Sequence, residues 1–256
     1  MAKSAQKKTV GENREVELAR TLFSKEGQSG KNLFERTVER LGSAIKHGIV
    51  APGDRLPPER ELATMMGISR TTVRSAIQIL VEGGFLVSRR GRGGGTFVAD
   101  EPPSWPTAEN GASEVRSERE IQLVMEKRRV IECGVAELAA ESRTDDDLRE
   151  LRALVGEMAE LIDDFQAFRA RDTRFHLKIA QITDNPDLVR LSGDIQDSLG
   201  KLLAYLPPSR EALIRSNQQH AEIVAAIAKA DGTQARRTMR EHVGATRHFM
   251  QGLLPV

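Results

Sequence analysis

Three features are scarce in this 256-residue sequence: cysteine, aromatic residues and long apolar runs. The single cysteine, Cys133, cannot form an internal disulfide, which fits a reducing interior and predicts a cytoplasmic protein. Aromatic residues make up 4% of the chain, so stacking on nucleic-acid bases is excluded as its main activity. No apolar run approaches the roughly 18 residues of a membrane-spanning helix, and no secretory signal follows the N-terminal lysines, so no membrane partner is expected.

Charge is distributed unevenly, although the whole chain carries a formal net charge of only +1. Residues 31–100 contain 11 Lys and Arg against 7 Asp and Glu, a net charge of +4. Residues 101–256 contain 21 against 26, a net charge of −5. A small basic unit joined to a larger acidic one indicates that only the first binds a polyanion.

Composition and periodicity divide the chain into four segments. Residues 1–30 lack sustained apolar periodicity and are predicted to form a mobile tail. Residues 31–100 are predicted to form a small α+β unit, and residues 101–114, with three prolines, a linker. Residues 115–251 have helical periodicity throughout and predict an all-α antiparallel bundle. The predicted fold class is therefore mainly α: the small α+β unit followed by a helical bundle, with helices expected at 115–142, 145–162, 165–183, 186–205, 209–230 and 232–251.

The small unit is predicted to begin with an amphipathic helix from Asn32. Leu33, Val38, Leu41 and Ile45 are expected on its buried side. Glycines and a proline in the following stretch, HGIVAPGD, end this helix.

The next stretch predicts two short helices joined by a turn. A pair of prolines precedes a helix from about Glu59 to Met66, Gly67 terminates it, and Ser69 is a good N-cap for the following helix. Two helices joined by so short a turn containing glycine form a helix-turn-helix. The stretch FLVSRRGRGGGTFV after them has apolar residues on both sides of a Gly-rich tip, and it predicts a β-hairpin.

The second of these helices is the candidate DNA-reading element. The N-terminal end of such a helix enters the major groove, where long donors can reach base edges or flanking phosphates. The candidates at this end are Ser69, Arg70, Thr71, Thr72 and Arg74. Arg60, near the start of the preceding helix, is expected to reach the DNA backbone. The alternative for any of these arginines alone is a solvated position without a ligand.

The tip of the hairpin is a second candidate DNA contact. It carries Arg90, Gly91 and Arg92 among further glycines. Glycine allows close approach of the backbone, and arginine favours the negative potential of a narrow minor groove. Taken alone this tip could be a flexible loop, but a helix-turn-helix and a basic hairpin in succession favour DNA binding.

A candidate metal site lies in the helical part. Asp172 and His176 are four residues apart and therefore on one face of their predicted helix. His220 and His242 each lie beside the apolar side of a later helix, so four N and O ligands could converge from three helices. Four ligands without cysteine suit a divalent ion, zinc first, with nickel, manganese or iron also possible. From spacing alone, a surface ion pair and ordinary core histidines remain alternatives.

The motifs of the small unit resemble those of a known family. The runs L-P-x-E-R-E-L-A, S-R-T-x-V-R and G-x-G-T-F-V resemble the N-terminal winged helix of the GntR family of bacterial transcriptional regulators. The resemblance extends over about 70 residues. It implies that Arg60, Arg70, Thr71 and Arg74 contact operator DNA, with Gly91 at the wing tip.

The helical part resembles the FCD ligand-binding domain of the FadR-type branch of the same family. Its D-x-x-x-H and H-x-x-I motifs, and a histidine near the end of the last helix, recur in family order. The resemblance implies that Asp172, His176, His220 and His242 bind a divalent metal ion.

The same resemblance places Arg128, in the motif R-x-x-I-E, on the first helix of the bundle and facing the cavity. A buried guanidinium beside a cation can bind a carboxylate through two hydrogen bonds, although Arg128 could instead pair with Glu132 one turn later. Asn217, one turn before His220, is a candidate for a further hydrogen bond to the effector.

Together these features predict a bacterial ligand-responsive transcriptional regulator. The expected protein is a repressor that binds a pseudo-palindromic operator as a homodimer and has a metal-assisted site for a small carboxylate effector. The alternative is a metal-dependent hydrolytic enzyme with an appended DNA-binding domain, in which the cation would activate water.

Overall fold

The computed structural model of the chain describes residues 32–91, 93–103 and 118–254. These residues form two compact units. The first unit contains the described residues up to Pro103 together with the end of the last helix, from His248 onward. The second unit contains residues 118–247. The predicted tail, 1–30, and most of the predicted linker lie outside the described residues.

The first unit contains a helix-turn-helix and a two-stranded wing. Its elements are α1 (Leu33–Lys46), α2 (Glu59–Met66), α3 (Arg70–Glu82), β1 (Leu86–Arg89) and β2 (Gly95–Val98). The strands pair antiparallel, with Leu86 opposite Val98 and Arg89 opposite Gly95. The predicted hairpin is therefore confirmed, and with it the winged helix-turn-helix.

Helix α1 buries a different first residue from the one predicted. Leu33 is 36% exposed, whereas Phe34 has no exposed surface, so the assignment of Leu33 to the buried side is wrong. Phe34 stands four residues before Val38 and seven before Leu41, and these spacings place it on the same side of the helix. Leu33 is five residues before Val38 and points away.

The turn between α2 and α3 has the predicted chemistry. Gly67 ends α2 in the left-handed region, with φ of 64°, which glycine adopts without strain. Ser69 caps α3, because its Oγ accepts a hydrogen bond from the backbone N–H of Thr72 at 3.1 Å. The side of α3 that packs into the unit consists of Val73, Ala76, Ile77, Ile79 and Leu80.

The second unit is built from helices. They are α4 (Glu118–Ser142), α5 (Asp145–Glu160), α6 (Phe165–Ile182), α7 (Pro186–Leu203), α8 (Arg210–Ala228) and α9 (Gly232–Leu253). Side chains of Thr144, Asp164, Asn185 and Ser209 cap the starts of α5 to α8. Helix α4 packs against α6, α7 and α8, and α5 against α6 and α8. These helices confirm the predicted mainly α fold class.

No helix within the described ranges combines the length and the apolar character needed to cross a bilayer.

The end of α9 belongs to the first unit and packs on α1. Gly252 and Gly42 approach so closely that a Cβ on Gly42 would overlap the Gly252 carbonyl oxygen. The ring of Phe249 stacks on that of Phe34, with 6.4 Å between centroids. The hydrophobic core around α1 therefore includes residues from the far end of the chain.

Candidate functional site

Three histidines from three helices meet inside the second unit. His176 of α6, His220 of α8 and His242 of α9 each offer a ring nitrogen, and these nitrogens lie within 4.8 Å of one another. All three residues are buried, and among the described residues neither ring nitrogen of His220 has a hydrogen-bond partner. An unpaired buried polar atom costs about 1–3 kcal/mol. The His220 nitrogens therefore indicate a ligand that the side chains themselves do not supply.

Asp172 extends this cluster, one helical turn before His176. Its side chain is buried, and its Oδ1 lies 3.3 Å from His220 Nε2. Arg169 donates to the other oxygen, Oδ2, at 2.7 Å. Burial opposes ionisation, but the Arg169 guanidinium lowers the pKa of the Asp172 carboxyl to about 2. Asp172 is therefore ionised and offers a carboxylate oxygen as a metal ligand beside the histidines.

Arg128 of α4 reaches the same cluster and is only 1% exposed. Its Nη2 lies 3.3 Å from His176 Nε2 and 3.1 Å from His242 Nε2. Its Nε donates to Glu132 Oε2 at 2.9 Å. Arg128 therefore both faces the cluster and pairs with Glu132, the two positions that the sequence left as alternatives. Its remaining nitrogen, Nη1, is buried and has no hydrogen-bond partner among the described residues.

The contacts of Arg128 determine where two imidazole protons lie. A guanidinium only donates, so Nε2 of His176 and of His242 must accept, and each neutral ring then carries its proton on Nδ1. His242 Nδ1 donates to Gln219 Oε1 at 3.0 Å. His176 Nδ1 lies 3.3 Å from Glu132 Oε2, outside hydrogen-bond geometry. Both rings thus direct an Nε2 lone pair into the cluster.

Burial also keeps the three imidazoles uncharged. Desolvation lowers the pKa of His220 to about 3. It lowers the pKa of His176 and places that of His242 well below its ordinary value. Neutral imidazole is the form that binds a metal ion. Three such nitrogens and a carboxylate, without a thiolate, fit a divalent ion such as zinc.

Asn217 lies one turn before His220 on α8 and is buried. Its Nδ2 donates to the Val155 carbonyl of α5 at 3.0 Å. Its Oδ1 is buried without a partner among the described residues. The side chain thus links two helices and retains an acceptor for an N–H or O–H group.

The residues predicted to contact DNA lie on the first unit, and most of them are at its surface. Arg92 lies outside the described residues, and Thr72 is partly buried. The exposed members of the set are Arg60, Ser69, Arg70, Thr71, Arg74, Arg90 and Gly91. The Ser69 hydroxyl also lies 2.7 Å from that of Thr71 and 2.8 Å from that of Thr72. Its first role is therefore to organise the start of α3.

Glu59 of α2 positions one of these arginines. Arg74 donates from Nη2 to Glu59 Oε2 at 2.9 Å and from Nε to the same oxygen at 3.1 Å. The Arg74 side chain remains 63% exposed while making this contact. The ion pair joins the two helices of the helix-turn-helix and restricts the directions in which the guanidinium can point.

Sequence reasoning missed Gln219, Gln196 and Glu59. Gln196 of α7 donates to Glu132 Oε1 at 2.7 Å and so holds the carboxylate that binds Arg128. None of the three is an apolar residue of a periodic pattern. Each has its role through a partner on another helix, which spacing within one helix does not reveal. The one available signal was adjacency, since Gln219 directly precedes His220.

Comparison with protein-family models gives a match in each unit. Residues 33–98 match the model described as bacterial regulatory proteins, gntR family. Residues 123–245 match the FCD domain model. The first match spans the helix-turn-helix and wing, and the second includes all four candidate metal ligands.

Curated relatives cover most of the chain. The Uxu operon transcriptional regulator of Escherichia coli K12 is 31% identical over 220 residues, which cover 82% of this chain and 84% of that protein. The galactonate operon transcriptional repressor of the same organism is 29% identical over 212 residues, covering 80% and 91%. The solved structure of E. coli McbR/YncC aligns with 85% of this chain and 96% of its own, at 22% identity and a TM-score of 0.50, and so supports the fold alone.

Proposed function

Because this chain belongs to the GntR family of bacterial regulatory proteins and carries an FCD domain, we propose that it is a repressor that a small carboxylate releases from its operator. Membership itself makes the chain a DNA-binding transcriptional regulator and not the hydrolytic enzyme considered as an alternative. One relative is a galactonate operon repressor, and galactonate is a carboxylate. That name supports the sign of regulation, and the operon that it names concerns a carboxylate.

The proposed effector site contains a divalent metal ion, which Asp172, His176, His220 and His242 would hold. Support comes from the convergence of three neutral imidazoles and from the unpaired nitrogens of His220. When bound, the ion supplies Lewis acidity that attracts a carboxylate or hydroxyl oxygen. The donor set favours zinc, with nickel, manganese and iron as alternatives.

The observation that carries the carboxylate proposal is the unpaired Nη1 of Arg128. A buried guanidinium nitrogen without an acceptor, beside a cluster of neutral imidazoles, is a site for an anion. Glu132 already occupies the Nε side of the guanidinium, so the effector would bind through the opposite edge. The free Oδ1 of Asn217 would accept a hydrogen bond from a hydroxyl group of the effector.

The DNA contacts are proposed for the exposed basic side of the first unit. Arg70, Thr71, Thr72 and Arg74 would enter the major groove at the start of α3, where Ser69 caps the helix. Arg60 would contact phosphate groups. For the wing tip the proposal concerns Arg90, Gly91 and Arg92, the last of which lies outside the described residues.

A homodimer is proposed because a pseudo-palindromic operator requires two copies of the winged helix. Helix α4 offers support, since Leu123, Val130 and Leu138 lie on one side of it and are 47%, 65% and 43% exposed. Three large exposed apolar side chains along one side of a helix are typical of a surface that another chain covers.

Operator binding in the presence of carboxylates tests this proposal. The operator is selected from random DNA by the protein, and its affinity is measured by fluorescence anisotropy against a panel of hydroxy acids and sugar acids. We expect one acid to weaken binding by about 5–150-fold in zinc-loaded protein and not after chelation. Arg128→Lys keeps the charge but loses the fork of donors, and it should require more acid for the same release. Insensitivity to every acid would contradict the proposal.

A further inference from the structure

Gln219 has a role at the candidate metal centre that its position in the sequence does not reveal. We propose that Gln219 is a positioning residue, whose side-chain carbonyl holds His242 in the orientation and tautomer that present Nε2 to the cation. This inference rests on the proposed metal centre. It adds a residue that is not itself a ligand.

The hydrogen bonds around His242 support this role. Gln219 Oε1 lies 3.0 Å from His242 Nδ1, and Arg128 Nη2 lies 3.1 Å from His242 Nε2. Arg128 can only donate, so Nε2 carries the lone pair and Nδ1 carries the proton. The Gln219 carbonyl is the acceptor for that proton. The two contacts on opposite sides of the ring therefore select the same tautomer. Its Nε2 lone pair, which here accepts from Arg128, is the one that a metal ion would take in place of that hydrogen bond.

The location of Gln219 makes this contact a link between two ligand helices. Gln219 and His220 are consecutive on α8, while His242 lies on α9. Helix α8 therefore supplies one candidate ligand directly and orients another on its neighbour. Removal of the Gln219 carbonyl would leave the His242 ring held only on its Nε2 side, by Arg128, without breaking the helix that carries it.

Within the part of the chain that the structure describes, the other two imidazoles lack an equivalent acceptor at this distance. His176 Nδ1 lies 3.3 Å from Glu132 Oε2 without hydrogen-bond geometry, and His220 Nδ1 has no partner among the described residues. His242 is thus the histidine of the cluster whose Nδ1 is held most firmly. Loss of a hydrogen-bonded partner behind a metal-binding histidine typically reduces metal affinity by about 10–100-fold.

Three variants of the full-length chain test the proposal, with Zn²⁺ alone as the probe. Gln219→Leu keeps a side chain of similar size but removes the acceptor, and Gln219→Glu keeps an acceptor and adds a negative charge. Gln218→Leu is the matched control, because it makes the same change at the exposed neighbouring position. Zinc affinity is measured by competition with a chromophoric chelator. Thermal unfolding with excess chelator checks that each variant folds equally well.

We expect Gln219→Leu to weaken zinc binding by about 10–100-fold, and Gln219→Glu and Gln218→Leu to remain close to wild type or, for Glu, to bind more tightly. A second readout is the ¹⁵N NMR spectrum of His242 in chelator-treated protein. It should show a hydrogen-bonded Nδ1–H in the wild type and, in Gln219→Leu, a shifted Nδ1–H resonance that has lost this hydrogen bond. A purely structural role for Gln219 would leave this spectrum unchanged.

The outcomes separate this inference from the proposed metal centre. Tight zinc binding by both the wild type and Gln219→Leu would overturn the role of Gln219 and leave the metal centre in place. Equal loss of affinity in Gln219→Leu and Gln219→Glu would also overturn it, because the acceptor would not matter. Absence of zinc binding by the wild type would remove the metal centre and this inference together.

Discussion

The two units place their functional chemistry in opposite environments. In the first unit, the side chains proposed to contact DNA are largely exposed, and water solvates their charges in the absence of DNA. In the second unit, His176, His220, His242 and Arg128 are all at least 98% buried. A buried polar atom has no water to replace a missing partner. Unpaired atoms therefore carry information about ligands in the second unit and almost none in the first.

This difference determines which observations are useful in each unit. For the winged helix, the order of motifs and the clustering of positive charge are informative, because a single exposed arginine does not by itself indicate a ligand. For the bundle, the informative atoms are those that burial leaves without partners, such as both nitrogens of His220 and Nη1 of Arg128. Substitutions should accordingly have local and separable effects, which the following experiments test from the largest effect to the smallest.

The largest effect is expected from His220→Ala. This change removes a candidate ligand whose ring nitrogens have no hydrogen-bond partner among the described residues, so zinc affinity should fall by more than the ~100-fold expected from loss of a partner group behind a ligand. Elemental analysis of purified protein measures the loss. His47→Ala, at an exposed position in the first unit, is the control and should retain the metal. Full zinc occupancy in His220→Ala would refute the metal centre.

An intermediate effect is expected from Arg70→Ala. Loss of one guanidinium at the start of α3 should weaken specific operator binding by about 1–3 kcal/mol, measured by anisotropy and footprinting. Zinc occupancy should not change. Arg149→Ala is the control, because Arg149 is an exposed arginine of the second unit. An unaltered footprint would remove Arg70 from the DNA contacts, and a loss of zinc would break the proposed separation of the two units.

The smallest effect is expected from a charged group at the surface of the bundle. Burial opposes ionisation of Asp147, yet hydrogen bonds from Lys178 and Thr144 lower its pKa to about 2. Because this folded-state pKa is below the unfolded value of about 3.9, Asp147 stabilises the fold above about pH 4, and the contribution is lost as the pH falls towards 2.

Asp147→Ala should therefore reduce the free energy of unfolding by about 1 kcal/mol at neutral pH, the size of a helix cap, and by less at low pH. Urea unfolding at several pH values measures the difference. Asp146→Ala is the control, since Asp146 also lies in the first turn of α5 and pairs with the exposed Arg149. If the difference in free energy of unfolding between Asp147→Ala and the wild type does not become smaller as the pH falls, the carboxylate charge is not responsible.

Local rules in the sequence predicted most of the fold. The cap at Ser69, the Gly67 stop and the hairpin each depend on a few neighbouring residues, and the structure confirms them. The error at Leu33 has a related cause. Two apolar residues stand side by side at the start of α1, and the spacing to Val38 together with packing against the end of α9 places Phe34, not Leu33, on the buried side.

The candidate site was accessible from the sequence only in part. Asp172, His176, His220 and His242 were identified as candidate ligands from spacing and from the resemblance to a family. The proximity of Arg128 Nη2 to two imidazoles and the carbonyl of Gln219 behind His242 could not be predicted in this way. These contacts depend on the relative rotation of separate helices, which no periodicity within a single helix specifies.

The close approach of Gly42 to Gly252 has a consequence for cutting or extending this chain. Residues far apart in sequence share one hydrophobic core, so the DNA-binding unit is not a single continuous piece of polypeptide. A fragment that stops before α4 would lack Phe249 and Gly252 and would expose the buried side of α1 around Phe34 to water. A DNA-binding unit transferred to another effector domain must therefore include the last turns of α9.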